Sequence, residues 1–196
     1  MEIRYIARRL LAACVLACAA LAGRADSRPV VVGNSRFTFI TDHLVRMEYA
    51  QHQKFLDDST LFAVDRSPRE VDYSVARRGR TYVLSTPAMR IEYDDDGLPF
   101  GQNNLRVFFQ SGGKERRWCL TDQQSGNLGG PVTTVDAVGG PVPLPEGLLS
   151  RDGWYLINDT GADVWRNGWL APATATTCRT FTSSSTARTT RPRCAR

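Results

Sequence analysis

The sequence has little cysteine, almost no histidine and none of the short motifs that mark common active sites. Five cysteines and two histidines occur in 196 residues. Of the cysteines, only Cys119 lies outside the first 25 and the last 24 positions. A single cysteine excludes a disulfide framework or a thiolate metal site in the body of the chain. His43 and His52 have no cluster of partner ligands, and P-loop, dinucleotide and nucleophile-elbow motifs are missing. We therefore expect no metal and no cofactor.

The body of the chain also lacks the excess of positive charge that nucleic-acid binding requires. The formal net charge is +5, but residues 1–25 and 173–196 hold nine of the 25 basic residues and one of the 20 acidic ones. The body therefore has 16 basic residues against 19 acidic ones. Phosphate neutralisation needs clustered Lys and Arg on the folded surface, so we expect no nucleic-acid partner.

The N-terminus has the pattern of an export signal. Arg4, Arg8 and Arg9 precede an apolar run over positions 10–22, and the run ends in the small residues of Ala20–Ala22. This order is typical of a cleaved signal peptide, which we place at residues 1–25, and it predicts a periplasmic or secreted protein. The apolar run is shorter than the roughly 20 residues of a membrane-spanning helix. The alternative is a lipoprotein anchor at Cys14, but few apolar residues precede that cysteine.

Short segments of alternating apolar and polar residues dominate the region that follows. Positions 44–50 read LVRMEYA, and similar alternation occurs at 36–41, 71–76, 80–85 and 88–93. A period of two is typical of strands that bury one face. Turn residues such as Gly, Asn and Asp separate these segments, and no amphipathic helix pattern is convincing. The sequence predicts an all-β fold, an antiparallel β-sandwich over residues 26–172.

One stretch differs from these strands in composition. Positions 127–159 read NLGGPVTTVDAVGGPVPLPEGLLSRDGWYLIND, in which Gly or Pro recurs every few residues among charged and aromatic side chains. Gly and Pro set sharp turns that regular elements cannot make. The composition indicates an ordered loop that presents side chains, and below we call positions 127–159 the central loop.

The same stretch carries a family resemblance. Its NLGG, TVD, PL and GLLSRDGW segments, in that order, together with the RF, VRMEY and IEY segments upstream, resemble the N-terminal domain of glycoside hydrolase family 31, the α-glucosidase and α-xylosidase family. The likeness extends over residues 30–172. It implies a galactose-mutarotase-like β-sandwich that packs against a catalytic (β/α)8 barrel, and an α-linked oligosaccharide or glycoside as partner.

The resemblance also implies roles for two residues of the SRDGW segment. Asp152 would accept hydrogen bonds from sugar hydroxyls, and Trp154 would offer an apolar face to a sugar ring. For Asp152 the alternative is a turn or capping residue. For Trp154 and Trp165 core packing is the stronger interpretation. Retaining hydrolysis in the family uses two aspartates of the barrel, which would follow this domain. No catalytic residue is therefore assigned in this chain, which we expect to be truncated before the barrel and inactive.

The last 24 residues have a different composition from the rest. Positions 173–196 hold eight threonines, five arginines, no acidic residue and one aromatic, Phe181. Such a composition predicts disorder, as in a mucin-like linker. A second hypothesis is a frameshift: with suitable codons for residues 173–187 and two bases skipped, the frame encodes DGDYLQDLYFFVYG, which resembles the family's next strand. The nucleotide sequence after codon 172 distinguishes the two.

Two functional hypotheses follow. The first is the N-terminal sandwich of an exported family 31 glycosidase. The second is a stand-alone carbohydrate-binding module that works without catalysis.

Overall fold

The computed structural model describes residues 24–26, 28–60, 63–67, 69–131, 139–172 and 177–183. Within these ranges the chain forms β-strands, loops and one short 3-10 turn at Gln51–Gln53, and no helix is long and apolar enough to cross a membrane. The strands are β1 (Arg24–Asp26), β2 (Val30–Val32), β3 (Ser35–Thr41), β4 (Leu44–Tyr49), β5 (Val71–Arg78), β6 (Thr81–Ser85), β7 (Met89–Asp94), β8 (Leu105–Ser111), β9 (Lys114–Cys119), β10 (Trp154–Asn158), β11 (Val164–Arg166), β12 (Trp169–Ala171) and β13 (Thr177–Ser183).

The strands form two large antiparallel sheets and one small hairpin. The first sheet has the order β1-β5-β6-β7-β8-β9, and the second has the order β10-β13-β4-β3-β2. Strands β11 and β12 form the hairpin. The predicted all-β, antiparallel fold is confirmed, and the predicted strands from β3 to β7 begin and end within about two residues of those expected from the alternation.

One apolar core joins the two large sheets. Alternate residues of β3 and β4, among them Phe37 and Met47, point toward alternate residues of β7 and β8, among them Ile91 and Val107, and all four are buried. Ring contacts cross between the sheets, with the centroids of Phe37 and Tyr93 5.4 Å apart and Phe109 next to the second sheet's β13. The two inner faces therefore supply one shared core, as in a face-to-face sheet packing.

Strand β13 differs from the expectation of disorder at 173–196. Residues Thr177–Ser183 lie between β10 and β4 and pair antiparallel with both. Phe181 is fully buried, with its ring centroid 5.0 Å from that of Trp118. Pairing on both edges and burial of one aromatic ring outweigh the polar composition, and the threonines favour extended backbone. The rest of 173–196 lies outside the described residues.

The other terminus is described only from Arg24. The expected signal at 1–25 lies outside the described residues except for Arg24 and Ala25, which belong to β1. Strand β1 pairs with β5, with Asp26 opposite Val71. It therefore covers the edge of β5 that would otherwise expose unpaired backbone groups.

Candidate functional site

The central loop is fastened at its base by one asparagine. The side chain of Asn127 donates from Nδ2 to the carbonyl of Gly147, and its Oδ1 accepts from the amides of Gly129 and Gly147, each at 2.9 Å. The amide of Leu128 donates to the carbonyl of Leu149 at 2.9 Å. These bonds bring the two ends of the loop together across the undescribed residues 132–138.

Glycine is required where the two ends of the loop meet. A Cβ on Gly147 would lie 2.1 Å from the carbonyl oxygen of Gly129 and 2.9 Å from the amide nitrogen of Gly130. These are backbone atoms, so a side chain there would force the loop ends apart. The glycines that suggested an ordered loop therefore allow the two backbone segments at its base to approach each other closely.

Asp152 lies in the turn that closes the central loop. Its Oδ2 accepts from the amide of Gly126 at 2.7 Å and from Ser150 Oγ at 3.3 Å, and Arg151 N donates to the carbonyl of Gly126 at 2.9 Å. The side chain is partly exposed. The geometry gives Asp152 the turn role considered as the alternative, and its sugar contact stays a prediction.

Trp154 lies in the core rather than on the surface. Its side chain is 8% exposed, and its ring stacks on Phe181 at 6.2 Å and lies 5.8 Å from Trp118. Little of its ring is available to a sugar in this conformation, which favours the packing role. Gly153, directly before it, has a φ of +79° and would place a Cβ 2.1 Å from Ser111 Oγ.

The central loop exposes four leucines. The exposed side chains are Leu128, Leu144, Leu148 and Leu149, which are between 49% and 70% exposed. Their backbone is held by the hydrogen bonds of the loop base. Several exposed leucines on one loop are typical of surfaces that contact another body.

A buried cluster of charges lies on the outer face of the second sheet, beneath residues 54–60 and 63–67, which we call the covering loop. Arg46 Nη1 donates to Asp159 Oδ2 at 2.8 Å, and Thr60 Oγ1 donates to the same oxygen at 3.0 Å. Glu48, with no exposed surface, receives Arg36 Nε at 2.7 Å. Arg46 and Glu48 alternate with core residues along β4, so their burial depends on the covering loop.

The ion pairs of this cluster fasten the covering loop to β3. Arg36 also contacts Asp57 Oδ1 at 2.5 Å, donates to the carbonyl of Leu56 at 3.0 Å, and stacks over the ring of Phe55. Burial acts to lower the pKa of Arg36, but the pairs with Glu48 and Asp57 outweigh it and raise that pKa. Beside the cluster, the loop leaves a cleft of about 180 Å³.

The β11–β12 hairpin places two tryptophans at the surface. Asn167 and Gly168, with φ of +51° and +83°, form its two-residue turn, the dipeptide favoured in such hairpins. Trp165 and Trp169 are 54% and 78% exposed, so the prediction of core packing for Trp165 is wrong. Arg166 fastens the hairpin by its ion pair with Asp58, and Trp165 N donates to the carbonyl of Ser59 at 2.8 Å.

Sequence reasoning missed most of these contacts. The sequence predicts a turn residue at Asp159, yet Asp159 is the buried partner of Arg46. The alternation in β4 indicated that Arg46 and Glu48 share a face, but gave no sign that a distant loop covers it. The one available signal for the exposed hairpin was the Asn167-Gly168 turn between two tryptophans.

The fold and these contacts define an all-β protein whose two antiparallel sheets carry an ordered surface loop and a hairpin with exposed tryptophans. No protein-family model matches the chain, and no curated protein matches it at a significant level.

Proposed function

We propose that this chain is the N-terminal, galactose-mutarotase-like sandwich of an exported family 31 glycoside hydrolase. The observation that carries the proposal is the central loop. Its base is fastened by Asn127 and by close glycine contacts, and its described part exposes four leucines. A domain that packs against a catalytic barrel needs such a surface, and the resemblance indicates the barrel as the body that covers it.

In this proposal the sandwich contributes binding and positioning rather than bond cleavage. Hydrolysis of an α-glycosidic bond with retention needs a nucleophile and an acid, which the family carries on the barrel. Asp152 is partly exposed at the closing turn, so its second carboxylate oxygen would accept a hydrogen bond from a sugar hydroxyl while Oδ2 holds the loop. Trp154 would support the turn from below through its stacking on Phe181.

The experiment that tests this proposal joins the sandwich to a barrel. Residues 24–183 would replace the N-terminal sandwich of a well-behaved family 31 α-glucosidase, and hydrolysis of an aryl α-glucoside would be measured. We expect an active chimera, since the loop would meet the barrel as in the family. A folded chimera without activity would contradict the proposal.

The exposed hairpin favours a second candidate, a stand-alone carbohydrate-binding module. Trp165 and Trp169 present indole rings to solvent, and sugar rings stack on such apolar faces. Calorimetric titration of the unmodified chain with α-linked oligosaccharides separates the two candidates. Binding that is lost in Trp169→Ala would favour the module, whereas no binding without a barrel would favour the first candidate.

A further inference from the structure

The position of strand β13 in the second sheet is a feature that neither candidate function uses. The strand lies between β10 and β4, and residues 179–182 pair antiparallel on both edges. The hydrogen bonds of such a ladder join backbone groups, so they do not depend on which side chains the inserted strand carries. Below we call this position, bounded by β10 and β4, the strand slot.

The side chain at the middle of the strand slot contacts an aromatic pocket. By register, Phe181 lies between Leu156 of β10 and Val45 of β4. Its ring is fully buried, with its centroid 5.0 Å from that of Trp118 and stacked on Trp154 at 6.2 Å. The strand slot therefore selects a large, flat side chain at this position.

The neighbouring positions on the same face carry polar residues in β13. Ser183 is opposite Trp154, is buried, and donates its amide to the carbonyl of His43 at 2.9 Å. Arg179 is opposite Met47, which is fully buried in the core. Strands β7 and β8 each bury three large side chains in the core, whereas the sequence of β13 offers one.

A more apolar strand would therefore suit the strand slot better than β13 does. Its backbone pairing would be the same, and an isoleucine or valine at the positions of Arg179 and Ser183 would gain free energy by leaving water. Arginine and serine bring no such gain. Strand β13 is also the last strand of the described residues, so its release requires no other strand to leave the sheets.

We propose that the strand slot accepts a strand from another polypeptide in place of β13. The partner is an extended segment with large apolar residues at alternate positions and an aromatic residue in the middle. Backbone pairing supplies affinity and the alternate side chains supply specificity, as in other cases of strand addition. The chain's own strand competes at a high effective concentration, so the partner must make better core contacts than β13 does.

Hydrogen exchange of the unmodified chain, read by mass spectrometry with and without a peptide, tests the proposal. The probe is the 177–183 segment with Cys178→Thr, Arg179→Ile and Ser183→Val, and with lysines at both ends for solubility. One control is the same segment with Cys178→Thr alone, and the other has the composition of the probe with its three apolar residues contiguous. We expect saturable binding of the probe, with amide protection lost at 177–183 and kept at 44–49 and 154–158, which would pair with the new strand.

Phe181→Ala in the chain gives a second measurement. It removes the anchor of the chain's own strand, so the strand slot is open in a larger fraction of molecules and the apparent affinity for the probe should rise about tenfold or more. Leu98→Ala, which truncates an exposed side chain, should leave that affinity unchanged. If Phe181→Ala does not fold, the exchange experiment on the unmodified chain decides.

Four results would overturn the proposal. They are no saturable binding of the probe, equal binding of the contiguous control, protection at 177–183 that survives saturation with the probe, and equal binding of the segment that keeps Arg179 and Ser183. The last result would instead indicate a second copy of this chain as the occupant, because core-facing apolar residues would then bring no advantage.

Discussion

Replacing Asp159 by asparagine should destabilise the sandwich strongly, because it removes one of two buried carboxylates from the charge cluster. Asparagine keeps an oxygen that accepts from Arg46 and Thr60, so the change removes charge and leaves the shape almost the same. Taking away one partner of a buried ion pair costs about 3–5 kcal/mol, because the remaining charge stays buried. In a domain of this size each kcal/mol lowers Tm by about 2–4 °C, so the expected loss is about 6–20 °C.

Urea unfolding followed by circular dichroism measures this loss. Asp163→Asn is the matched control, since Asp163 lies four residues along the same segment and is exposed. It should change the free energy of unfolding by less than about 0.5 kcal/mol. The double variant Arg46→Met/Asp159→Leu should be less destabilised than Asp159→Asn, since an apolar pair leaves no buried charge unpaired. A loss for Asp159→Asn no larger than that for Asp163→Asn would refute the account of the cluster.

The remaining predictions concern the core, the loop and one exposed carboxylate. Trp154→Ala should cost about 3–5 kcal/mol in urea unfolding, whereas Trp169→Ala should cost little, because only the former ring is buried; similar costs would contradict the assignment. Phe181→Ala should also cost about 3–5 kcal/mol, because the ring of Phe181 on strand β13 is fully buried; an unchanged urea midpoint would contradict this burial. Gly147→Ala should increase amide hydrogen exchange throughout the central loop because its Cβ would meet backbone, and unaltered protection would count against the tight loop base. NMR titration should give Asp65 a pKa of about 2, lowered by its hydrogen bonds to Ser67. Any stability from this carboxylate is present above its unfolded pKa and is lost as pH falls toward 2. A measured pKa in the ordinary range for aspartate would refute the contact with Ser67.

The sequence was sufficient to predict the strands that bury one face and leave the other outside the core. In β3, β4 and β7 every second side chain enters the core, so the period of two is visible directly. Strand β9 buries only Trp118 fully, and strand β13 was expected to be disordered because threonine, serine and arginine dominate it. Their places depend on pairing with β8, β10 and β4, which is long-range information that local composition does not carry.

In the candidate site, too, local features could be predicted from the sequence and long-range contacts could not. The glycines and prolines indicated an ordered loop, and the hydrogen bonds of Asn127 at the loop base agree with that interpretation. The buried charge cluster, by contrast, depends on the covering loop over β4 and on Asp159 reaching Arg46 from 113 positions along the chain. Charged residues on an alternating strand normally indicate a solvated face, so the burial of Arg46 and Glu48 could not be predicted from the alternation.

The most direct test of the central proposal is the rate of aryl α-glucoside hydrolysis by the family 31 chimera carrying residues 24–183, with and without Asp152→Asn. Asparagine still offers an acceptor to the amide of Gly126, so the loop should keep its shape while the charge is removed. We expect an active chimera whose kcat/KM falls about tenfold or more in the variant, the value of a hydrogen bond between a charged group and a sugar hydroxyl. A folded, active chimera that is indifferent to Asp152, or a folded chimera with no activity, would contradict the account.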